Sequence, residues 1–226
     1  MLLFRENLLW RCECRSAEFT SYQRQARVYL DMRTLVAALL SAFLLEGGTG
    51  TYRIGPTPES SFTLEVYKTG LWSGRKHVFR FERYRGELQY DPEHPQNSRA
   101  RFVVESSSAV CKDDWVKTSD QKKVLAYTLD EMLAASKYPE IVFESASIAA
   151  QSGEHFQAQG NLTVRGITKP VTIDLTVKTA RPDRIQLEGT AEIRLKDYGL
   201  KPPSAALGTI GTKNEMLLRF VLFGVR

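Results

Sequence analysis

Cysteine and histidine are scarce in this 226-residue chain, with three of each. Cys12 and Cys14 stand in the first fifty residues and Cys111 stands alone beyond them, so no disulfide framework or cysteine-built zinc site is available to staple the fold. Stability must come from packing and strand pairing. Cys111 reads as a small half-buried side chain, because no histidine stands near it in sequence to activate a thiol. His77, His94 and His155 are dispersed over a strand start, a proline-rich loop and another strand start, and read as surface or rim residues. H-E-x-x-H, G-x-S-x-G, C-x-x-C and glycine-rich phosphate loops are all missing from contexts that would give them meaning. Asp113-Asp114 and Asp130-Glu131 are adjacent acids, which point to opposite sides of a strand or around a helix and make weak acid/base pairs. No enzyme is expected, and no metal or catalytic site.

A long apolar run is lacking as well. The stretch from Thr34 to Leu45 is about a dozen residues, too short to cross a hydrocarbon core of about 30 Å as a helix, so no integral span is expected in the mature chain. It follows Met32-Arg33 and precedes Gly47-Gly48-Thr49-Gly50. A basic end, a short apolar stretch and a run of small residues are the layout of a secretory signal peptide, here residues 32–50 with cleavage before Thr51. A periplasmic or secreted protein is expected. Residues 1–31 carry Arg and Glu without apolar periodicity and read as an upstream extension from a translation start placed too early, with Met32 the true initiator. A poorly packed N-terminal arm is the alternative. Cys12-Glu13-Cys14 is a lone C-x-C and a weak metal signal.

Thirty-one Lys and Arg against 26 Asp and Glu give a net charge of +5, which on its own favours acidic partners of any kind, nucleic acid and anionic lipid included. The basic residues are scattered through alternating patterns, however, as in Arg80, Arg83 and Arg85. They read as the watered faces of strands, and no nucleic-acid interface is expected.

What the chain has in quantity is period-two alternation over residues 51–226. Phe62, Leu64 and Val66 alternate with Thr63, Glu65 and Tyr67; Ala100, Phe102 and Val104 with Arg101, Val103 and Glu105; Ile141, Phe143 and Ser145 with Val142 and Glu144. Further on come Phe156, Ala158, Leu162 and Val164, then Val171, Ile173, Leu175 and Val177, then residues 185–195, and last Met216, Leu218, Phe220 and Leu222. Between His77 and Tyr90 the parity changes, from Phe79 and Phe81 to Tyr84, Leu88 and Tyr90, which predicts a β-bulge near Glu82-Arg83. Turn-rich stretches at 91–97, 151–153 and 181–183 punctuate the strands. The pattern predicts an all-β fold, an antiparallel barrel of about eight strands whose closure removes exposed edges. One stretch breaks it. Leu125, Leu129, Met132 and Leu133 recur at helical spacing between Ser119 and Ser136, predicting one or two short helices with Ser119 or Asp120 as N-cap, packed outside the barrel or over one mouth.

Several motifs together resemble the YceI-like family, the lipocalin-like polyisoprenoid-binding proteins. Phe81-x-x-Tyr84-x-Gly86-x-Leu88 is similar to an early aromatic and glycine strand of that family, and Lys137-Tyr138-Pro139-Glu140-Ile141-Val142-Phe143-Glu144-Ser145 to its helix-to-strand segment. Gly160-Asn161-Leu162-Thr163-Val164-Arg165-Gly166-Ile167-Thr168-Lys169-Pro170-Val171 resembles its hallmark hairpin, with Gly166 able to take the positive φ of a tight turn and Pro170 fixing the start of a strand. Lys196-Asp197-Tyr198-Gly199-Leu200 matches a turn before the last strand. Residues 72–77, 111–115 and 213–215 depart from the pattern. Asn161-Leu162-Thr163 has the form of a glycosylation acceptor but falls inside the hairpin strand, and is discounted.

The resemblance implies a lipocalin-like antiparallel barrel with an apolar interior that takes up a polyisoprenoid, an isoprenoid quinone or a fatty-acyl ligand. Such a tail offers little polarity, so its binding must come from area removed from water, at roughly 25 cal/mol per Å². The lining expected from the alternation is Phe62, Leu64, Val66, Phe79, Phe81, Phe102, Val104, Phe143, Phe156, Leu162, Val164, Leu175, Leu187, Ile193, Phe220 and Leu222. Arg75, Lys76 or Lys201 near a mouth offer charge to a phosphate head group, against the simpler reading of a solvated surface. Two other functions stay open: a lipid-modifying enzyme with the interior as its substrate channel, and an interaction protein whose barrel is filled by its own side chains. A homodimer is one arrangement compatible with the pattern.

Overall fold

The protein is described from a computed structural model covering residues 49–226. The segment expected to be a signal peptide, apart from its last two residues, and the segment expected to be an upstream extension lie outside the described residues. Eleven antiparallel strands are present among them: β1 (Gly50–Gly55), β2 (Ser61–Gly70), β3 (Lys76–Phe81), β4 (Tyr84–Tyr90), β5 (Arg99–Glu105), β6 (Ala109–Cys111), β7 (Glu140–Ser152), β8 (His155–Val164), β9 (Ile167–Ala180), β10 (Arg184–Arg194) and β11 (Ile210–Val225).

Closure comes from β11, whose length of 16 residues lets one of its edges hold two partners. Residues of β2 pair along it from Ile210 to Val221, and β1 pairs with its last turn of ladder, Arg53 opposite Val225 and Gly55 opposite Phe223. β1 and β2 are thus one stave, broken at residues 56–60. The break is held by Ser60, whose Oγ accepts from Thr57 N–H at 2.8 Å, donates to the Thr57 carbonyl at 2.9 Å and lies 2.6 Å from the Tyr84 hydroxyl.

The same offset passes to the next staves. β4 pairs with β1 and β3 with β2; β5 pairs with β4 and β6 with β3. The parity change near Glu82-Arg83 is therefore a break with an exchange of partners, where a bulge within one strand was expected. Counting each broken stave once leaves a closed antiparallel barrel of eight strands. β1 and β6 escaped the sequence reading because each offers too few alternating positions, Tyr52 and Ile54 in the first case. A bulge in β7 between Ser145 and Ser147 moves Ile148 onto the buried face.

One seam is unpaired. β5 meets β7 from Arg101 to Glu105, but β6 pairs with β3 alone among the described residues. The segment between β6 and β7 lies beside this opening and carries the helix α1 (Thr118–Tyr127), which runs on into one wider π-type turn (Thr128–Met132). Lys117 stands at the N-cap without a side-chain bond, not Ser119 or Asp120. Leu125, Leu129 and Leu133 pack on the core as their spacing predicted.

The hairpin between β8 and β9 ties this helical segment down. Val164 pairs with Ile167 across a two-residue turn in which Arg165 (φ 51°) and Gly166 (φ 73°) both take positive φ, the geometry that matches strand twist. A non-glycine residue pays for that conformation, at about 1–2 kcal/mol. Arg165 has a compensating role, because its Nη1 donates to the carbonyls of Glu131 (2.8 Å) and Met132 (3.2 Å) at the helix end. Pro170 lies inside β9 and not at its start; it is tolerated there because β10 stops pairing at Ile173.

Arginines on the outer face behave as the alternation suggested. Arg83, in the break between β3 and β4, forks onto Glu105 at 2.6 and 2.8 Å, while Arg85 meets Glu140 at 2.7 Å and Arg101 meets Glu144 at 3.0 Å across strands. The Arg83 guanidinium and the Ser107 hydroxyl hold the Glu105 carboxyl down at about 2.

Candidate functional site

Alternation decides the interior. With side chains of period two, every inward row of the closed barrel converges on its axis, and the rows are apolar. Two adjoining cavities result, of about 120 Å³ and about 350 Å³. The smaller, lower one is walled by Phe102, Phe143, Phe156, Leu175, Leu187, Phe220 and Leu222 with their neighbours. The larger, upper one is walled by Leu64, Val66, Phe79, Phe81 and Val164. Phe62, Val104, Ile141, Leu162, Ile193 and Leu218 belong to both walls and form a waist between them. Each residue expected to line the interior borders one or both cavities. Register was the risk in that expectation, since a slip of one residue turns a whole strand inside out.

An aromatic cluster builds the waist. The Phe62 ring lies 5.1 Å from Phe102, 5.8 Å from Tyr84, 6.0 Å from Phe81 and 6.4 Å from Phe220, centroid to centroid. Glycines on neighbouring strands make room for these rings. A Cβ on Gly86 would lie 2.7 Å from the Phe102 ring, and one on Gly189 would lie 2.4 Å from that of Phe220. Lys123, Val124, Tyr127, Thr128, Met132 and Leu133 from the helical segment add to the upper wall, so the helix covers a mouth, one of its two expected positions; the Lys123 ammonium is exposed and pairs with Asp120 at 3.3 Å. The turn Leu195–Tyr198 closes the same end with Leu195 and Tyr198 buried; burial pushes the Tyr198 phenol up to about 12.

The polar part of the upper wall was missed by the sequence reading. Lys68 continues the inward row of Leu64 and Val66, and His77 begins that of Phe79 and Phe81. Both are buried, 9% and 8% exposed, and both line the upper cavity. His77 is therefore not a rim residue. Its Nδ1 lies 2.5 Å from Oδ2 of Asp113, whose side chain is wholly buried, and whose Oδ1 accepts from Val78 N–H at 2.8 Å. Burial alone would push the Asp113 carboxyl up. The bonds from His77, Val78 and Cys111 outweigh it and hold the group below its usual range. Trp115 stacks on the His77 ring at 5.3 Å and donates from Nε1 to the Lys76 carbonyl at 2.8 Å, while Gln121 of α1 donates to the Asp113 carbonyl. Continuing each alternating row by one more step would have found Lys68 and His77; nothing local could have found Asp113.

Arg75 lies over the Trp115 ring at 5.1 Å, Lys76 pairs with Glu65 at 2.7 Å, and Lys201 is exposed; none of them borders either cavity. His94 and His155 are exposed, as expected. Cys111 is buried opposite Phe79, and burial pushes its thiol up to about 11. Cys111 is accordingly expected to stay unmodified when the native protein is pulsed with iodoacetamide at pH 8 and to react fully in urea, as read by peptide mapping; modification at equal rates in both states would refute its enclosure. Among the described residues no group of three or more His, Cys, Asp or Glu side chains is placed to hold a metal. No helix among them is long and apolar enough to cross a membrane.

A closed antiparallel barrel with an apolar, partly empty interior and a helical cover belongs to the lipocalin-like class of architectures. The YceI-like domain model matches residues 52–222, and the chain belongs to that family. A UPF0312 protein of Pseudomonas aeruginosa is 30% identical over 144 residues, covering 62% of this chain and 70% of its own length. A UPF0312 protein of Pseudomonas putida is 27% identical over 135 residues, covering 58% and 67%. Among solved structures, BcnA of Burkholderia cenocepacia superposes with a TM-score of 0.60 at 18% identity, over 73% of this chain and 96% of its own. A polyisoprenoid-binding domain from Saccharophagus degradans gives 0.55 at 15% identity, over 76% and 97%. At these identities the structures speak for the fold.

Proposed function

We propose that the protein is an exported carrier that holds a polyisoprenoid, an isoprenoid quinone or a similar long-chain amphiphile by its tail inside the barrel. The observation that carries this reading is the pair of adjoining apolar cavities, ranged through the interior and covered by a helix at one end. A barrel filled by its own side chains would leave no such space. The larger cavity falls within the rough 300–1,000 Å³ span of small-molecule sites. The Saccharophagus degradans neighbour is described as polyisoprenoid-binding, which supports the same class of ligand here. Support for export, to the periplasm or beyond, comes from residues 32–50 of the sequence.

Carriage is favoured over lipid modification. His77 and Asp113 form a ring and its orienting carboxylate, but the wall around that ring is built mostly of Leu64, Val66, Phe79 and Phe81, side chains that suit a hydrocarbon tail and supply no nucleophile. Native mass spectrometry of protein purified from its own cells tests carriage and export together. The expected result is a chain beginning near Thr51 with an intact lipid bound; recovery of a lipid-free protein from lipid-replete cells would overturn the carrier reading, and an intact Met1 would overturn export.

A further inference from the structure

Lys68 is a buried cation without a counter-charge in contact. Its ammonium makes one hydrogen bond among the described residues, a long one of 3.5 Å to the Thr212 hydroxyl, and lies 5.8 Å from the Trp72 ring. No carboxylate among them forms an ion pair with it. An ammonium in an apolar wall is costly unless something pairs with it, and such groups mark sites where a ligand supplies the missing charge. Burial lowers the pKa of Lys68, an effect that attraction to Asp113 opposes.

His77 borders the same cavity, and Asp113 does not. The carboxylate is engaged by His77 from behind the wall and by Val78 and Cys111, which do not border the cavity, so it takes no part in the surface that a ligand meets. With Nδ1 committed to Asp113, Nε2 is the polar atom the ring has left. It donates in the imidazolium form and accepts in the neutral one. Thr212 adds a hydroxyl beside Lys68 and also lines the cavity. A cation, a hydroxyl and an oriented imidazole therefore share a wall that is otherwise mostly apolar, and they are carried by β2, β3 and β11 at the end away from the lower cavity. Lys68 and Thr212 are directly opposed on β2 and β11, and Val66 opposes His77 on β3.

We infer that Lys68, His77 and Thr212 form a head-group subsite for an oxyanion, a carboxylate or phosphate monoester, on a chain whose tail lies past the Phe62 waist. The inference rests on the carrier reading and narrows it to anionic amphiphiles. Asp113 is a positioning residue for the ring.

Delipidated full-length protein, titrated with hexadecanoate, hexadecyl phosphate and hexadecanol, separates head from tail. Trp115 fluorescence provides the readout, because that ring stacks on His77. Wild type is expected to bind at least one of the two anions roughly ten- to a hundredfold more tightly than the alcohol, the range of a charge-assisted hydrogen bond. Which anion is preferred identifies the source. Lys68→Met is expected to abolish that preference, the anions falling to about the affinity of the alcohol, and its retained binding of hexadecanol shows that the variant folds; His77→Gln is expected to reduce the preference and to remove the anion-induced change in Trp115 emission. Equal binding of all three by wild type, or an anion preference that survives Lys68→Met, would overturn the subsite and leave the carrier reading standing. Failure to bind any of the three would overturn both.

Discussion

Phe62→Ala is expected to lower the free energy of unfolding by about 3 kcal/mol, towards the low end of the range for burying and then deleting a phenyl ring. The ring is 8% exposed and contacts four other aromatic rings, so its removal forfeits both transfer energy and edge contacts. It also borders empty space on two sides, which limits the new void that the surroundings must tolerate. The two cavities would become one. Urea denaturation at unchanged m would show the loss, and the variant should accept bulkier tails than wild type. A loss below about 1 kcal/mol would mean that the waist is not packed as described.

Asp113→Ala is expected to cost about 3–5 kcal/mol, because it strands the His77 ring and the Val78 N–H in a buried setting without their acceptor. Asp113→Asn keeps an acceptor oxygen and should cost less. The pH dependence follows from the depressed carboxyl. In the unfolded chain the group titrates near 3.8, and in the folded protein below it. Its contribution to stability is therefore fully present above pH 3.8 and fades as pH falls through the lower folded value. The gap in stability between wild type and Asp113→Asn should be widest near neutrality and close on acidification. A gap that stays constant down to pH 2 would show that the Asp113 charge has no share in holding the fold.

Much of this was legible before any coordinates. The inward rows of β2, β5, β8 and β11 were readable because a pleated strand sends alternate side chains to opposite faces, whatever lies elsewhere in the chain. Leu125, Leu129 and Leu133 were readable as one helix face for the same local reason. Arg165 was different: its type is written in the hairpin motif, but its grip on the carbonyls of Glu131 and Met132 depends on where the hairpin meets the helix. The expected bulge at Glu82-Arg83 shows the limit from another side. A change of parity says that a strand is interrupted, and it does not say that the two halves take different neighbours.

From residues 51–226 alone came the class of fold, the identity of its strands' apolar faces and so the lining of its interior, since these depend on interactions within a few residues. Tertiary structure decided the rest. The broken staves exist because one edge of β11 takes both β1 and β2, and His77 meets Asp113 because β3 pairs with β6 in the register that sets Phe79 opposite Cys111. Contacts between residues 36 positions apart are set by register between strands, and register is a property of the closed barrel as a whole.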